Sequence, residues 1–510
     1  MMLARRKLKT WPLTINISAK TLLLRTDQKN LEKFLSLICR GSWLVSIALS
    51  LSVTAQAQVL EHLAEKSIEA PPVVPSLTGI AQAGFVYEPV FNSRMYLVEA
   101  GVGNPETVIL VHGLGQNGYR DWRNVIPALA QRYHVLAMDL PGFALSQKPK
   151  GRYSPTQYAR VLQWLVSQNG HERVYLVGHS MGGAVALRYA ASFPDTLHRV
   201  ALVSVAGVLQ RTAFLSHSSA LPISSGTVPY IDSLPASVKE MAGDQLRQWS
   251  SQVLSVAESL PDPIKILRAS DTAWSTLLDD QPNANAALAL IGEDFTHAFA
   301  QVSVPTLIVW GDQDPVAPPR TGVLLAGQLP QARRVVLRNT GHVPMAQPDT
   351  FNPLLLDFFA GSTVASEPTT SSLQNGDLVC RNQRDQYYTG VFTAIDLREC
   401  DGAVLEDVQA ESIVVTDSDV ELRNVNVLSQ KVALQVNQSR VNMTNGQLIG
   451  AIGILAHNSQ LDLAGVTVRG SVSGIRASGP SSFIFSVSQL RSPAVNRTLH
   501  GVYEIGAAME

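Results

Sequence analysis

The segment VYLVGHSMGG (174–183) constrains this chain more than any other. An apolar stretch suited to a strand runs into G-x-S-x-G, and GAVALRYA (183–190), suited to a helix, follows at once. A strand turning directly into a helix brings two backbones close together. Glycines at 178 and 182 permit that approach because they carry no Cβ. The serine between them is left on a tight, strained turn with its hydroxyl exposed above the sheet. Ser180 is therefore the candidate nucleophile.

The surroundings repeat the same alternation. FVYEPVF (85–91), MYLVEAG (95–101), VILVHG (108–113), YHVLAMD (133–139) and RVALVSVAG (199–207) read as strands. WRNVIPALAQR (122–132), YSPTQYARVLQWLVSQ (153–168) and GAVALRYAASF (183–193) read as helices. Apolar strands alternating with amphipathic helices predict a mostly parallel sheet with both faces covered. From about 208 to 298 the alternation stops, and Leu-Pro steps punctuate mostly helical sequence. Such an insertion predicts a helical cap. The β/α rhythm resumes with PTLIVWGDQDP (305–315) and RRVVLRNTGH (333–342).

A serine hydroxyl is a weak nucleophile at neutral pH, so it needs a base, and the base needs an orienting acid. His342 follows one of the resumed strands, and both Asp312 and Asp314 follow the other. The order Ser…Asp…His is the one this sheet topology uses. The backbone N–H of Met181, next to the nucleophile, is one expected oxyanion donor. His112 reads as a support of the loop after VILV, and His179 as a structural neighbour of the nucleophile.

Five motifs in one order carry a resemblance: VHGLG (111–115), DLPGFALSQKP (139–149), GHSMGG (178–183), VWGDQDPVAP (309–318) and NTGHVPMAQP (339–348). Residues from about 84 to 360 resemble the α/β-hydrolase fold family. The resemblance implies a Ser180–His342–Asp314 triad, with Asp314 rather than Asp312 as the acid. It also implies a second oxyanion donor in the Leu114 N–H. Ala144 stands where the family usually has Gly, so that loop is expected to be less tightly turned. The implied chemistry is cleavage of an ester-type bond in a small uncharged or moderately apolar substrate, through an acyl-enzyme on Ser180. The same triad also serves C–C bond hydrolases, lactonases, amidases and cofactor-free haloperoxidases or perhydrolases.

The ends of the chain differ from this centre. Up to Ala57 there are nine Lys and Arg against Asp27 and Glu32, a net +7, which leaves −8 for the remainder beneath an overall −1. An apolar run, SWLVSIALSLSV (42–53), and an Ala-Gln-Ala site then complete the three parts of a signal peptide, 1–57. A periplasmic or secreted location follows, with an uncleaved membrane anchor as the alternative. Residues 58–83 read as a lead-in and 84–362 as the hydrolase domain. Cleavage after Ala57 leaves Cys380 and Cys400, an even pair that reads as one disulfide in an exported chain.

After a Ser/Thr/Pro-rich linker, 363–377, residues 378–505 repeat. Val420, Val441, Leu461 and Phe483 recur with Leu422, Met443, Leu463 and Phe485 two residues on. Val427, Leu448, Val468 and Leu490 form a further row, as do Val414, Leu434, Ile454 and Ile475. Ser418, Ser439 and Ser459 precede the first. Short β-rich units of this kind stack because none buries its apolar face alone. The pattern predicts a small all-β domain, a right-handed parallel β-helix of about four coils, with a β-sandwich as the alternative. Its expected role is a structural or binding appendage, and the partner such a domain would take is a glycan or the cell envelope. A glycan-binding protein with a vestigial hydrolase, or a membrane-tethered assembly factor, are competing readings of the whole. The near-neutral charge argues against nucleic acid. No H-E-x-x-H, no C-x-x-C and no G-x-G-x-x-G after a strand occurs, so neither a metal nor a cofactor is expected.

Overall fold

A computed structural model describes residues 81–168, 173–219, 267–361 and 376–505. The signal-peptide reading of 1–57, most of the lead-in, the middle of the cap and most of the linker lie outside the described residues.

Eight strands form the first sheet: β1 (Ala81–Glu88), β2 (Ser93–Ala100), β3 (Thr107–Val111), β4 (His134–Asp139), β5 (Val174–His179), β6 (Leu197–Val203), β7 (Thr306–Gly311) and β8 (Ala332–Leu337). Their spatial order is β1-β2-β4-β3-β5-β6-β7-β8. The pairs β1–β2 and β2–β4 are antiparallel, and every later pair is parallel. β1 already begins at Ala81, inside the stretch read as a lead-in.

Among the described residues the α-helices are α1 (Ile126–Leu129), α2 (Pro155–Gln168), α3 (Met181–Ser192), α4 (Arg211–Ser219), α5 (Asp271–Leu278), α6 (Pro282–Ile291), α7 (Pro319–Gln328) and α8 (Pro348–Phe359). Strand residues alternate between the two faces of the sheet. Ile109, Leu176, Leu202 and Ile308 join one core with α2, α3 and α7. Val108, Leu110, Val177, Ala201 and Leu307 join the opposite core, with Phe351, Leu355 and Phe359 of α8. Burial on both faces is why these strands carry apolar residues at nearly every position.

The second sheet comprises β9 (Leu378–Arg381), β10 (Tyr387–Arg398), β11 (Ala403–Thr416), β12 (Asp419–Leu428), β13 (Val432–Asn437), β14 (Arg440–His457), β15 (Gln460–Ala464), β16 (Thr467–Ser478), β17 (Ser481–Arg491) and β18 (Asn496–Ile505). Its pairings are parallel except β17–β18. The register stacks Ala403, Val420, Val441, Leu461 and Phe483. It likewise stacks Leu405, Leu422, Met443, Leu463 and Phe485. The stack thus begins one rung before the repeat visible in the sequence.

One row needs correction. Ile413, not Val414, pairs with Leu434, and Val414 pairs with Gln435. Ile413 is buried and Val414 only half-buried. Side chains in a strand alternate with period two, so a slip of one residue exchanges inside for outside.

The recurring serines have a structural job. Ser418, Ser439 and Ser459 are buried, and each donates its hydroxyl to the carbonyl two residues earlier. Each also accepts the backbone N–H of Cys400, Ser418 and Ser439 respectively from the preceding coil. Ser481 continues the ladder by accepting Ser459 N–H. The corner before each rung is left-handed: Glu399, Asp417, Gln438, Asn458 and Gly479 all have φ between 47° and 64°. Asn, Asp and Gly are the residues that tolerate that region best. Cys380 and Cys400 are disulfide-bonded, both fully buried at the first end of the solenoid core. β18 runs antiparallel along β17 and covers what would otherwise be an open edge at the other end.

The solenoid is not a loose appendage. Ala464 and Val487 belong to the same apolar core as α3 and α7 of the hydrolase sheet. Arg320 of α7 donates to both carboxylate oxygens of Asp462, at 2.7 and 3.1 Å, and to Thr444 Oγ1 at 3.2 Å. Asn445 Nδ2 donates to Val323 O, and Gln328 Nε2 donates to Asn445 Oδ1 and Gly465 O. Backbones meet closely here: a Cβ on Gly327 would lie 2.3 Å from Asn445 Nδ2.

Candidate active site

The candidate residues gather at the C-terminal ends of β3, β5, β7 and β8, where open α/β sheets form their crevice. β5 ends at His179, and Ser180 holds φ 54° and ψ −117° before α3 begins. That conformation is costly for a residue with a side chain and puts the hydroxyl at the tip of the turn. A Cβ on Gly178 would lie 2.1 Å from Gly182 O, and one on Gly182 would lie 2.3 Å from Val111 O. Both glycines are therefore required by close approach.

His342 lies in the loop after β8, and its Nε2 is 3.0 Å from Ser180 Oγ. Its Nδ1 is 3.0 and 2.9 Å from the two carboxylate oxygens of Asp314, in the loop after β7. A carboxylate only accepts, so Nδ1 carries the proton and Nε2 is free to accept from the serine. The Asp314 side chain has no exposed surface. Burial works to raise its pKa, but the neighbouring His342 and the N–H groups of Val316 and Ala317, both 2.9 Å away, outweigh it. The carboxyl is held below the ordinary aspartate value. Asp312 is exposed and instead accepts the Thr340 N–H at 3.1 Å.

Two further histidines fix the frame. His112 Nδ1 bonds to Gly113 O at 2.6 Å, and its Nε2 accepts Leu140 N–H at 2.9 Å. These partners define one tautomer and tie the loop after β3 to the loop after β4. His179 Nε2 donates to the backbone carbonyl of His342 at 2.8 Å, and its ring centre lies 4.9 Å from that of His342. Burial, then the proximity of His342, push His179 down to about 3, so it stays neutral while it holds the His342 loop.

The loop after β3 lies against Ser180: a Cβ on Gly113 would be 3.0 Å from Ser180 Cβ. Gly113 N–H bonds to Asp121, and Gly115 N–H donates to Asn283 Oδ1 at 3.1 Å. The N–H groups on either side of Leu114 are thus taken up by side chains. Asp139 accepts Tyr119 N–H and Leu145 N–H at 2.7 and 3.0 Å. Ala144, in the same turn, has φ 43°. The loop keeps its tight turn, and the alanine that replaces the usual glycine sits in left-handed backbone.

Described residues of the 208–298 insertion reach this site. Asn283 comes from α6, and His217 of α4 lies 3.4 Å from Asp314 O through its Nε2. Asn285 is fully buried and anchors α5 and α6. Its Oδ1 accepts from Tyr153 N and Trp274 Nε1, and its Nδ2 donates to Gly151 O. Among the described residues, no group of three or more His, Cys, Asp or Glu is placed to hold a metal ion.

The structure brings Ser180, Asp314 and His342 into one bonded chain, with Met181 beginning α3 beside the serine and Leu114 in the facing loop. Sequence reasoning missed Asn283 and Asp121 as supports of that loop, and the bond from His179 to the His342 carbonyl. His179 could have been found from its place inside the elbow. Asn283 carried no signal, since its contact spans 168 residues.

A sequence profile of the alpha/beta hydrolase fold matches residues 106–348. An uncharacterized protein of Mycobacterium tuberculosis is 30% identical over 258 residues, 48% of this chain and 71% of the relative. Lipase 1 of Psychrobacter immobilis is 28% identical over 256 residues, 50% of this chain and 76% of the lipase. A 2-hydroxy-6-oxononadienedioate/2-hydroxy-6-oxononatrienedioate hydrolase of Pseudomonas putida is 29% identical over 260 residues, 50% of this chain and 87% of that enzyme. With the strand order, the elbow and these relatives together, the chain belongs to the alpha/beta hydrolase fold family.

Proposed function

We propose that the chain is an exported serine hydrolase that cleaves an ester-type bond of a small uncharged or moderately apolar substrate. The observation that carries this reading is the unbroken path from Ser180 Oγ through His342 to the buried Asp314 carboxylate. His342 Nε2 takes the hydroxyl proton as Ser180 Oγ bonds to the carbonyl carbon. Asp314 holds the ring in the right tautomer and stabilises the imidazolium. The oxyanion accepts the Leu114 and Met181 N–H groups, each such donor being worth about 3 kcal/mol. His342 returns the proton to the departing alcohol, and water repeats the cycle on the acyl-enzyme. The lipase relative supports the ester reading. The Cys380–Cys400 disulfide supports export, because such bonds persist in oxidising compartments.

The Pseudomonas relative motivates a second reading, hydrolysis of a C–C bond. Purified mature chain should be assayed on p-nitrophenyl esters of graded acyl length and on a 2-hydroxy-6-oxo-dienoate. Turnover of the esters, abolished in Ser180→Ala, is the expected result. Turnover of the dienoate alone would replace the ester reading with the second one.

A further inference from the structure

The solenoid carries an open groove of about 1500 Å³, larger than the ~300–1,000 Å³ of ordinary small-molecule pockets. Solenoid residues alone line it, around the point where β11 and β14 change from pairing with β12 to pairing with β13. On successive coils Gln409, Asn426 and Gln447 pair in register, so three exposed amides stand in a column across the strands. Neighbouring strands are ~4.8 Å apart, which sets the repeat of that column. None of these three side chains is engaged in a hydrogen bond within the described protein. Other solenoid amides are engaged: Asn424 with Asp407, and Asn445 with Val323.

The lining excludes several ligand classes. Its charged side chains are one of each sign, Glu411 and Lys431, so it offers no field to a polyanion or a polycation. The backbone N–H and C=O groups of these strands are already paired in the ladder, so an extended peptide finds no sheet edge to join. An amide presents two donors and an acceptor, which complements hydroxyls that both donate and accept. Leu428, 69% exposed, adds an apolar surface to the same groove. An extended chain of pyranose rings combines neutral charge, hydroxyls recurring along an axis, and apolar C–H faces. We propose that this groove binds a neutral polysaccharide laid along the solenoid axis, one amide rung after another.

The test is affinity electrophoresis of the full chain through native gels containing galactomannan, mixed-linkage β-glucan or dextran, with polygalacturonate and heparin as anionic arms. Retardation by at least one neutral polymer is expected. The apparent affinity should fall at least tenfold in Gln409→Ala/Asn426→Ala/Gln447→Ala, and also in Asn426→Arg, which places a bulky side chain in the column. Both variants alter exposed residues, so p-nitrophenyl ester turnover should match the parent and report intact folding. Retardation by none of the neutral polymers, by the anionic ones only, or equally in parent and variants would overturn the proposal.

Discussion

The seam between solenoid and hydrolase can be measured through Arg320 and Asp462. Their side chains are only 15% and 13% exposed, and the guanidinium meets both carboxylate oxygens. At an effective dielectric of ~20, unit charges about 4 Å apart attract by about 4 kcal/mol. Much of that offsets desolvation, so the pair as a whole adds little net stability. Removing one partner is different, because it strands the other charge and usually costs about 3–5 kcal/mol. Arg320→Met also leaves Thr444 without its donor. Given the remaining solvent access, about 3 kcal/mol is expected for Arg320→Met, and a similar loss for Asp462→Leu. The double variant should lose only about 2–3 kcal/mol in total, a coupling of about 3–4 kcal/mol. Urea unfolding read by tryptophan fluorescence and far-UV circular dichroism gives these values. Trp122, Trp274 and Trp310 report the hydrolase, and residues 376–505 contain no tryptophan. Because Ala464 and Val487 share the hydrolase core, the two probes should move together in the parent. Losses that simply add in the double variant, or a solenoid transition separate from the tryptophan transition, would refute the coupled seam.

Three other perturbations follow from the site. His179 is held near 3 in the fold, against ~6.5 when unfolded. The stabilisation it carries is therefore complete above pH ~6.5 and declines as pH falls toward 3, by about 3 kcal/mol at pH 4.5. His179→Gln should show a smaller loss of urea midpoint between pH 7.5 and pH 4.5 than the parent, and an equal loss would contradict the assignment. Asn283→Ala frees the Gly115 N–H and loosens the loop bearing Leu114. Its kcat on a p-nitrophenyl ester should fall about tenfold, one hydrogen bond being worth ~1 kcal/mol or slightly more, with KM nearly unchanged. Ala144→Gly relieves a left-handed alanine, so thermal unfolding should report a gain of about 0.5–1 kcal/mol, and a loss would show that the turn prefers the side chain.

Much of this architecture is legible in the sequence for reasons that can be named. The elbow announces itself because close backbone approach demands Gly178 and Gly182 within five residues of one another. Asp314 and His342 follow because each sits just past an apolar strand. The solenoid rows are visible because identical positions on successive coils stack and must all be apolar. The Ile413 slip arises where three consecutive β-branched residues, Ile413, Val414 and Val415, leave the alternation ambiguous. The seam is hidden for another reason. Arg320 on a helix looks like an ordinary solvated charge, and its partner lies 142 residues away. Asp462 is one acid among several in the repeat, with nothing local to mark it. A protein ending near Ala360 would therefore expose part of the hydrolase core as well as lose the solenoid. The same logic covers Asn283, an amide in an alanine-rich helix whose only signal is spatial.

The central claim is that Ser180, activated through His342 and Asp314, is the nucleophile. Labelling of the intact chain with a fluorophosphonate probe, followed by mass-spectrometric mapping of the modified residue, tests it most directly. The account predicts one adduct per chain, on Ser180, lost in Ser180→Ala and strongly slowed in His342→Ala. An unlabelled parent chain, or an adduct that persists in Ser180→Ala, would contradict it.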